Sequence, residues 1–136
     1  MNTVYMTGTW DLFHQGHLNV LHRASMLGDK LIVGVVSDEF AAAMKPGRPI
    51  IPLHERCALL RELRCVDMVV VSYGFLDFST IDRENITIRA IGPDYGRYPE
   101  QEVAIEEMRK RGIKIVRLPR TPGISTSSII ERIRNG

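Results

Sequence analysis

The sequence predicts an α/β protein: a doubly wound, Rossmann-like sheet of five parallel strands with helices on both faces. Three observations lead there. Short β-rich apolar runs alternate with helical patterns along the whole chain. The first run, Val4-Tyr5-Met6, passes through a tight polar turn into an amphipathic segment, Leu18 to Leu27. Leu31-Ile32-Val33-Gly34-Val35-Val36 is continuously apolar, as a strand buried on both faces should be. At 136 residues the chain suits a single domain, 1–136, with no repeat or linker.

The elements follow in order. Leu18, Leu21, Ala24 and Leu27 fall at helical spacing, and Gly28 suits the C′ position of that helix. Ser37 offers an N-cap for a short helix, Asp38 to Met44. Lys45-Pro46-Gly47-Arg48-Pro49 breaks helix and strand alike and reads as an exposed loop with two cations. Leu53, Cys57 and Leu60 mark a helix from Leu53 to Arg64, and Asp67 to Val71 is the third strand. Ser72 to Asn85 reads as a loop followed by a short helix. Ile86 to Ile91 is the fourth strand, Glu100 to Arg111 a helix closed by Gly112, and Ile113 to Leu118 the fifth strand. Ile129, Ile130 and Ile133 mark a last helix after the polar loop 119–126.

Composition excludes several functions. A formal net charge of +2 gives no electrostatic case for nucleic acid or a membrane surface. No apolar run is long enough to span a bilayer and no signal-peptide pattern opens the chain, so a cytoplasmic protein is expected. Cys57 and Cys65 form no Cys-x-x-Cys pair and read as reduced thiols. The chain has no Gly-x-Gly-x-x-Gly, no P-loop Gly-Lys-Ser/Thr and no Cys/His cluster at zinc spacing.

Ligands of such sheets bind beyond the carboxyl ends of the strands, where the topology reverses. That rule gathers four loops: Thr7–His17, Lys45–Arg48, Gly92–Gly96 and Arg120–Thr126. The first sets His14-Gln15-Gly16-His17 where a helix begins, a place suited to an anion. The second carries Lys45 and Arg48, and the fourth carries Arg120, Ser125 and Thr126 at another helix start. Arg56 and Arg64 are expected on the same half of one helix, roughly 12 Å apart. Cations, hydroxyls and two helix N-termini at one crevice suit a polyphosphate.

Gly8-Thr9-Trp10-Asp11 with His14-Gln15-Gly16-His17, and Arg120-Thr121-Pro122-Gly123-Ile124-Ser125-Thr126-Ser127, resemble the two signatures of the cytidylyltransferases, G-T-F-D…H-x-G-H and R-T-x-G-I-S-T-S/T. Within that family the glycerol-3-phosphate enzymes are most similar, and the likeness runs nearly end to end. It implies transfer of CMP from CTP to a phosphorylated alcohol, with Mg²⁺ accompanying the nucleotide and a homodimer as the assembly. His14 and His17 would then stabilise the transition state at the α-phosphorus. Lys45 would steady the α-phosphate or the acceptor phosphate. Arg120, Ser125 and Thr126 would hold the β- and γ-phosphates, with Arg64 beneath them. Gly8, Thr9, Trp10, Asp11, Gly16, Thr121, Gly123 and Ile124 would follow the nucleotide, while Gly92, Asp94 and Tyr95 would line its base or ribose. Asp38, Arg48 and Arg56 are the weaker candidates for the acceptor side.

Three positions depart from the pattern. Gln15 stands where an aromatic is usual, and Pro93 replaces an acid. Residues 72–82 contain no lysine, whereas glycerol-3-phosphate enzymes carry cations there; Arg83 and Arg89 are the nearest alternatives. Arg48-Pro49-Ile50-Ile51-Pro52 is also similar to the adenylyl-transferring relatives that act on heptose phosphate or FMN. A non-catalytic nucleotide-binding module is the third reading. An aminoacyl-tRNA synthetase is excluded, because one small domain leaves no room to recognise tRNA.

Overall fold

The computed structural model describes residues 1–136. Its elements are β1 (Thr3–Gly8), α1 (Gln15–Ser25), β2 (Lys30–Val36), α2 (Asp38–Met44), α3 (Leu53–Arg61), β3 (Met68–Ser72), α4 (Ser79–Arg83), β4 (Ile88–Ile91), α5 (Pro99–Lys110), β5 (Lys114–Arg117) and α6 (Thr126–Asn135). The five strands form one parallel sheet in the order β3-β2-β1-β4-β5. The expected doubly wound architecture is the one observed.

Period-two alternation explains the packing on both faces. Val4, Met6, Val33 and Val35 meet Leu21 and Ala24 of α1 and Cys57 and Leu60 of α3. Tyr5, Ile32 and Ile91 point the other way, onto Ile81 of α4 and Ala104, Ile105 and Met108 of α5. α1 and α3 thus cover one face, and α4 and α5 cover the other. The winding reverses between β1 and β4. β1 is laddered to β2 as far as Gly8, but to β4 only at Val4 and Tyr5. A crevice opens where that second ladder stops.

Several boundaries shift by a residue from the sequence reading, and three shift further. α1 ends at Ser25, before Gly28. Gly28 serves a close approach instead, since a Cβ there would sit 2.6 Å from the Asn2 carbonyl oxygen. β4 starts at Ile88, with Thr87 N–H bonded outside the strand to Thr3 O. α3 stops at Arg61, not Arg64, because its last turn tightens into bonds from Glu62 to Leu59 and from Leu63 to Leu60. That exit lets Val66 reach the core. It also removes the helical relation expected between Arg56 and Arg64.

Arg56 is the largest side chain among those that are fully buried. Its guanidinium donates to Ile51 O (2.9 Å), Thr9 O (2.7 Å) and Val36 O (3.0 Å), and pairs with Asp38 Oδ1 at 2.5 Å. One cation therefore ties the first loop, the end of β2, the 45–52 loop and the start of α2. Replacing Arg56 with Ala removes the guanidinium from those three carbonyls and the ion-pair partner from Asp38, which keeps only the Leu53 N–H at 3.4 Å. The expected loss is about 3 kcal/mol in urea unfolding; an unchanged midpoint and slope would contradict the clamp.

Candidate active site

The crevice at the carboxyl ends of β1, β4 and β5 has a volume of about 650 Å³. Two helices begin at its walls, and both lack an acid in the first turn: α1 and α6. The other four helices each carry at least one there: Asp38 and Glu39 in α2, Glu55 in α3, Asp82 in α4, Glu100 and Glu102 in α5. Acids at helix starts neutralise the positive dipole end. Their absence at these two positions leaves the dipoles available to an anion in the crevice.

At the start of α1 the histidines are held by the backbone. His14 is the N-cap, and its Nδ1 accepts the Gly16 N–H at 3.1 Å. His17 Nδ1 accepts the His14 N–H at 3.2 Å. A neutral imidazole that accepts through Nδ1 carries its proton on Nε2. Both rings therefore present a donor away from the helix, and His14 Nε2 lies 3.4 Å from the Thr126 hydroxyl. The rings stack with centroids 3.7 Å apart. A Cβ on Gly16 would meet the His14 ring at 2.9 Å, so glycine at this position leaves the ring its place. Burial, then the like charge of His14, push the His17 pKa down to about 4, with Asp11 opposing. Burial also lowers that of His14. Both rings are neutral donors at neutral pH.

The polar turn before them is built from within. Trp10 adopts a left-handed backbone (φ 56°), donates its indole N–H to Gly34 O at 3.0 Å and packs edge-on to His17. A Cβ on Gly8 would come within 2.7 Å of that indole. Asp11 is buried, and its carboxylate accepts the N–H groups of Ile50 and Ile51, each at 2.9 Å. Asp11 O in turn accepts the Thr126 hydroxyl at 3.1 Å, which brings α6 to α1.

On the opposite wall Ser125 caps α6, its Oγ accepting the Ser128 N–H at 3.0 Å. Gly123 takes φ 77°, the left-handed region that turns the loop toward this cap. Lys45 Nζ and an Arg48 N–H both reach Ser127 Oγ, at 3.1 and 3.5 Å. The 45–48 cations therefore sit against the α6 start. Arg120 pairs with Asp94 across the mouth.

The structure brings together His14, His17, Lys45, Arg48, Arg120, Thr121, Ile124, Ser125 and Thr126 with Gly8 to Asp11, Gly16, Gly92 and Asp94. Other expected residues fall elsewhere. Arg64 lies exposed in the turn before β3, at the amino edge of the sheet and away from the crevice. Arg56 and Asp38 form the clamp described above, with no wall in the crevice. Tyr95 faces a neighbouring aromatic pocket, and Gly123 shapes its loop without lining the crevice. Sequence reasoning passed over Arg97, Asn19 and Arg117. Arg97 lines the crevice 3.8 Å from Asp94, and the Asn19 amide holds Thr121 Oγ1 at 3.1 Å. Arg117 binds the carbonyls of Gly92, Pro93 and Tyr95 at 3.1, 3.0 and 2.7 Å. A charge at the carboxyl end of an edge strand was the available signal for Arg117.

A crevice between two acid-free helix starts, at the switch point of a parallel sheet, is where proteins of the Rossmann-like class take their ligands. The chain belongs to the cytidylyltransferase-like family, which it matches over residues 5–132. With the family comes the reaction class, nucleotidyl transfer. The chain is 39% identical to the FAD synthase of Thermococcus onnurineus over 132 residues, covering 93% of this chain and 87% of that one. It is 37% identical to the ethanolamine-phosphate cytidylyltransferase of Arabidopsis thaliana, covering 96% of this chain and 32% of the plant enzyme. A lipopolysaccharide core biosynthesis protein from Thermoplasma volcanium superposes with a TM-score of 0.69 at 29% identity, covering 89% of this chain and 97% of that one. No helix is long and apolar enough to cross a membrane.

The His17 environment also sets an acid sensitivity. Its folded pKa of about 4 lies below the ordinary value of 6.5, so the unfolded chain binds more protons between those pH values. Stability is then fully present above about pH 6.5 and falls toward pH 4, by at most about 3 kcal/mol. His17→Asn, which keeps an acceptor near the Nδ1 position, should flatten that part of the stability–pH curve. An unchanged slope would show that His17 is not the source.

Proposed function

We propose that the protein transfers a cytidylyl group from CTP to a phosphorylated alcohol, giving a CDP-alcohol and pyrophosphate. The reading is carried by two acid-free helix starts that face each other across one crevice, with two Nε2–H donors between them. An oxygen of the acceptor phosphate attacks the α-phosphorus in line. The new O–P bond forms as the bond to the β-phosphate oxygen breaks, and pyrophosphate leaves. Negative charge spreads over the α-phosphoryl oxygens and the departing group. The attacking phosphate is already anionic, so the protein supplies fixed donors and orientation in place of a base.

In this reading His14 and His17 donate to the α-phosphoryl oxygens. The α6 start, with Ser125, Thr126 and Arg120, holds the β- and γ-phosphates, and Arg120 exchanges Asp94 for phosphate when nucleotide enters. Lys45 and Arg48 stand at the junction of nucleotide and acceptor. Mg²⁺ enters with the nucleotide. No group of three or more acidic, histidine or cysteine side chains surrounds one point, so the metal would be held chiefly through the nucleotide and would offset the charge of its phosphates.

The Arg120-Thr121-Pro122-Gly123-Ile124-Ser125-Thr126-Ser127 loop and the likeness to the plant cytidylyltransferase support CTP. The likeness to FAD synthases over nearly the whole chain supports a second reading, adenylyl transfer from ATP. Pyrophosphate release with each nucleotide separates the two. CTP is expected to turn over faster; faster release from ATP assigns the adenylyl reaction. Glycerol-3-phosphate is the reference acceptor for that assay. His17→Ala is expected to lower kcat by about 100-fold or more while changing nucleotide affinity far less. Equal losses would mean that the ring serves only ground-state binding.

A further inference from the structure

Two arginines are buried in this fold, and only one of them has a counterion. Arg56 pairs with Asp38, as described above. Arg89, on β4, is 4% exposed and takes part in none of the molecule's ion pairs. Its guanidinium lies between the rings of Tyr5 and Tyr95, at 5.4 and 5.3 Å. It donates to Ala90 O and, at 2.6 Å, to Thr7 Oγ1. Asp77 is the one acid lining the small cavity beside Arg89, and its oxygens already accept the Tyr73 N–H, the Ser79 N–H and the Ser79 hydroxyl. Arg83, the other cation of this part of the chain, is exposed and paired with Glu84. A buried cation with no acid beside it costs the fold stability. Departures of that kind collect where a protein does its work.

What Arg89 holds is a hydroxyl on the floor of the crevice. Thr7 follows the point on β1 where the ladder to β4 stops, and it lines the crevice together with Gly8, His14 and His17. Its side chain is fixed from two sides. Opposite it in β2 stands Gly34, where a Cβ would come within 2.8 Å of Thr7 Cγ2, so glycine there gives the methyl its place. On the other side Oγ1 accepts from Arg89, and the hydroxyl donates to no acceptor within the protein. Accepting from a guanidinium turns the single hydroxyl proton away from Arg89, and the open side of Thr7 is the crevice. The charge behind the oxygen also polarises the O–H bond and strengthens it as a donor. The floor therefore carries a third oriented donor beside the two imidazole N–H groups.

We infer that the Thr7 hydroxyl donates a hydrogen bond to an oxygen on the α-phosphorus of the bound nucleotide, and that Arg89 is the positioning residue that orients and polarises this donor. No proton is transferred; the bond strengthens as negative charge builds on that oxygen. The inference rests on the transferase reading above and deepens it, and it holds with either nucleotide.

The test uses the intact chain with Mg²⁺, the better nucleotide and the best acceptor found by pyrophosphate release. Thr7→Val is expected to lower kcat about tenfold or more and to leave the acceptor KM unchanged. Thr7→Ser keeps the hydroxyl and should stay within about threefold of wild type. Arg89→Met puts an unbranched apolar chain in place of the guanidinium and leaves no charge unpaired, so its melting temperature should hold or rise while kcat falls as in Thr7→Val. Because Arg89 acts through Thr7, the double variant Thr7→Val/Arg89→Met should lose no more than the worse single one. A Thr7→Ser enzyme as impaired as Thr7→Val, losses that multiply in the double variant, or an effect confined to the acceptor KM overturns the inference and leaves the transferase reading standing. So does a kcat within about threefold of wild type in both Thr7→Val and Arg89→Met. No pyrophosphate release from the wild type with any acceptor and either nucleotide overturns the transferase reading and the Thr7 assignment with it.

Discussion

One buried guanidinium holds the working parts of this molecule in register. Arg56 reaches carbonyls at Thr9, Val36 and Ile51 and the Asp38 carboxylate, four points on separate segments that converge at the sheet's carboxyl edge. Charge buried in this way is tolerated because each nitrogen of the guanidinium donates to an oxygen. The arrangement also explains why a cation so near the crevice is no ligand for a phosphate. Asp11 plays the matching part from the other side, anchoring Ile50 and Ile51 through its carboxylate and α6 through its carbonyl. Together they fix the distance between the α1 and α6 starts.

That distance matters because the proposed transfer relies on electrostatics rather than on a reactive side chain. The histidines are neutral, stacked and oriented by backbone N–H groups, so their donors need not reorganise as charge develops. Protonating both would place like charges 3.7 Å apart between ring centres. Acid-free first turns in α1 and α6 add the helix dipoles, and Lys45, Arg48 and Arg120 add positive charge at the rim. In the proposed reading a triphosphate meets helix dipoles in the depth and side-chain cations at the mouth.

Much of this was legible in the sequence, and the exceptions have physical causes. The strands were legible as short apolar runs, which burial in a parallel sheet requires, whereas their order in the sheet comes from the fold. The His-x-Gly-His turn and the Ser125 cap were legible because local chemistry at a helix start determines them. Arg56 was misassigned because a buried cation and a ligand-binding cation look alike until their partners are known. Arg64 was misplaced because the helix ended a turn early, and nothing local in Glu62-Leu63-Arg64 announces that stop. The aromatic pocket was out of reach for a different reason: Phe40, Phe75 and Tyr98 come from three separate connections that only the fold assembles.

The central claim is that two backbone bonds fix both imidazoles as Nε2–H donors to one bound triphosphate. Nitrogen-15 NMR of the histidine rings at neutral pH tests it directly. The account predicts Nε2–H tautomers at His14 and His17 in the free protein, with both Nε2 resonances shifting together as nucleotide and Mg²⁺ are added. An Nδ1–H tautomer at either ring, or ring resonances unmoved at saturating CTP and ATP, would contradict it.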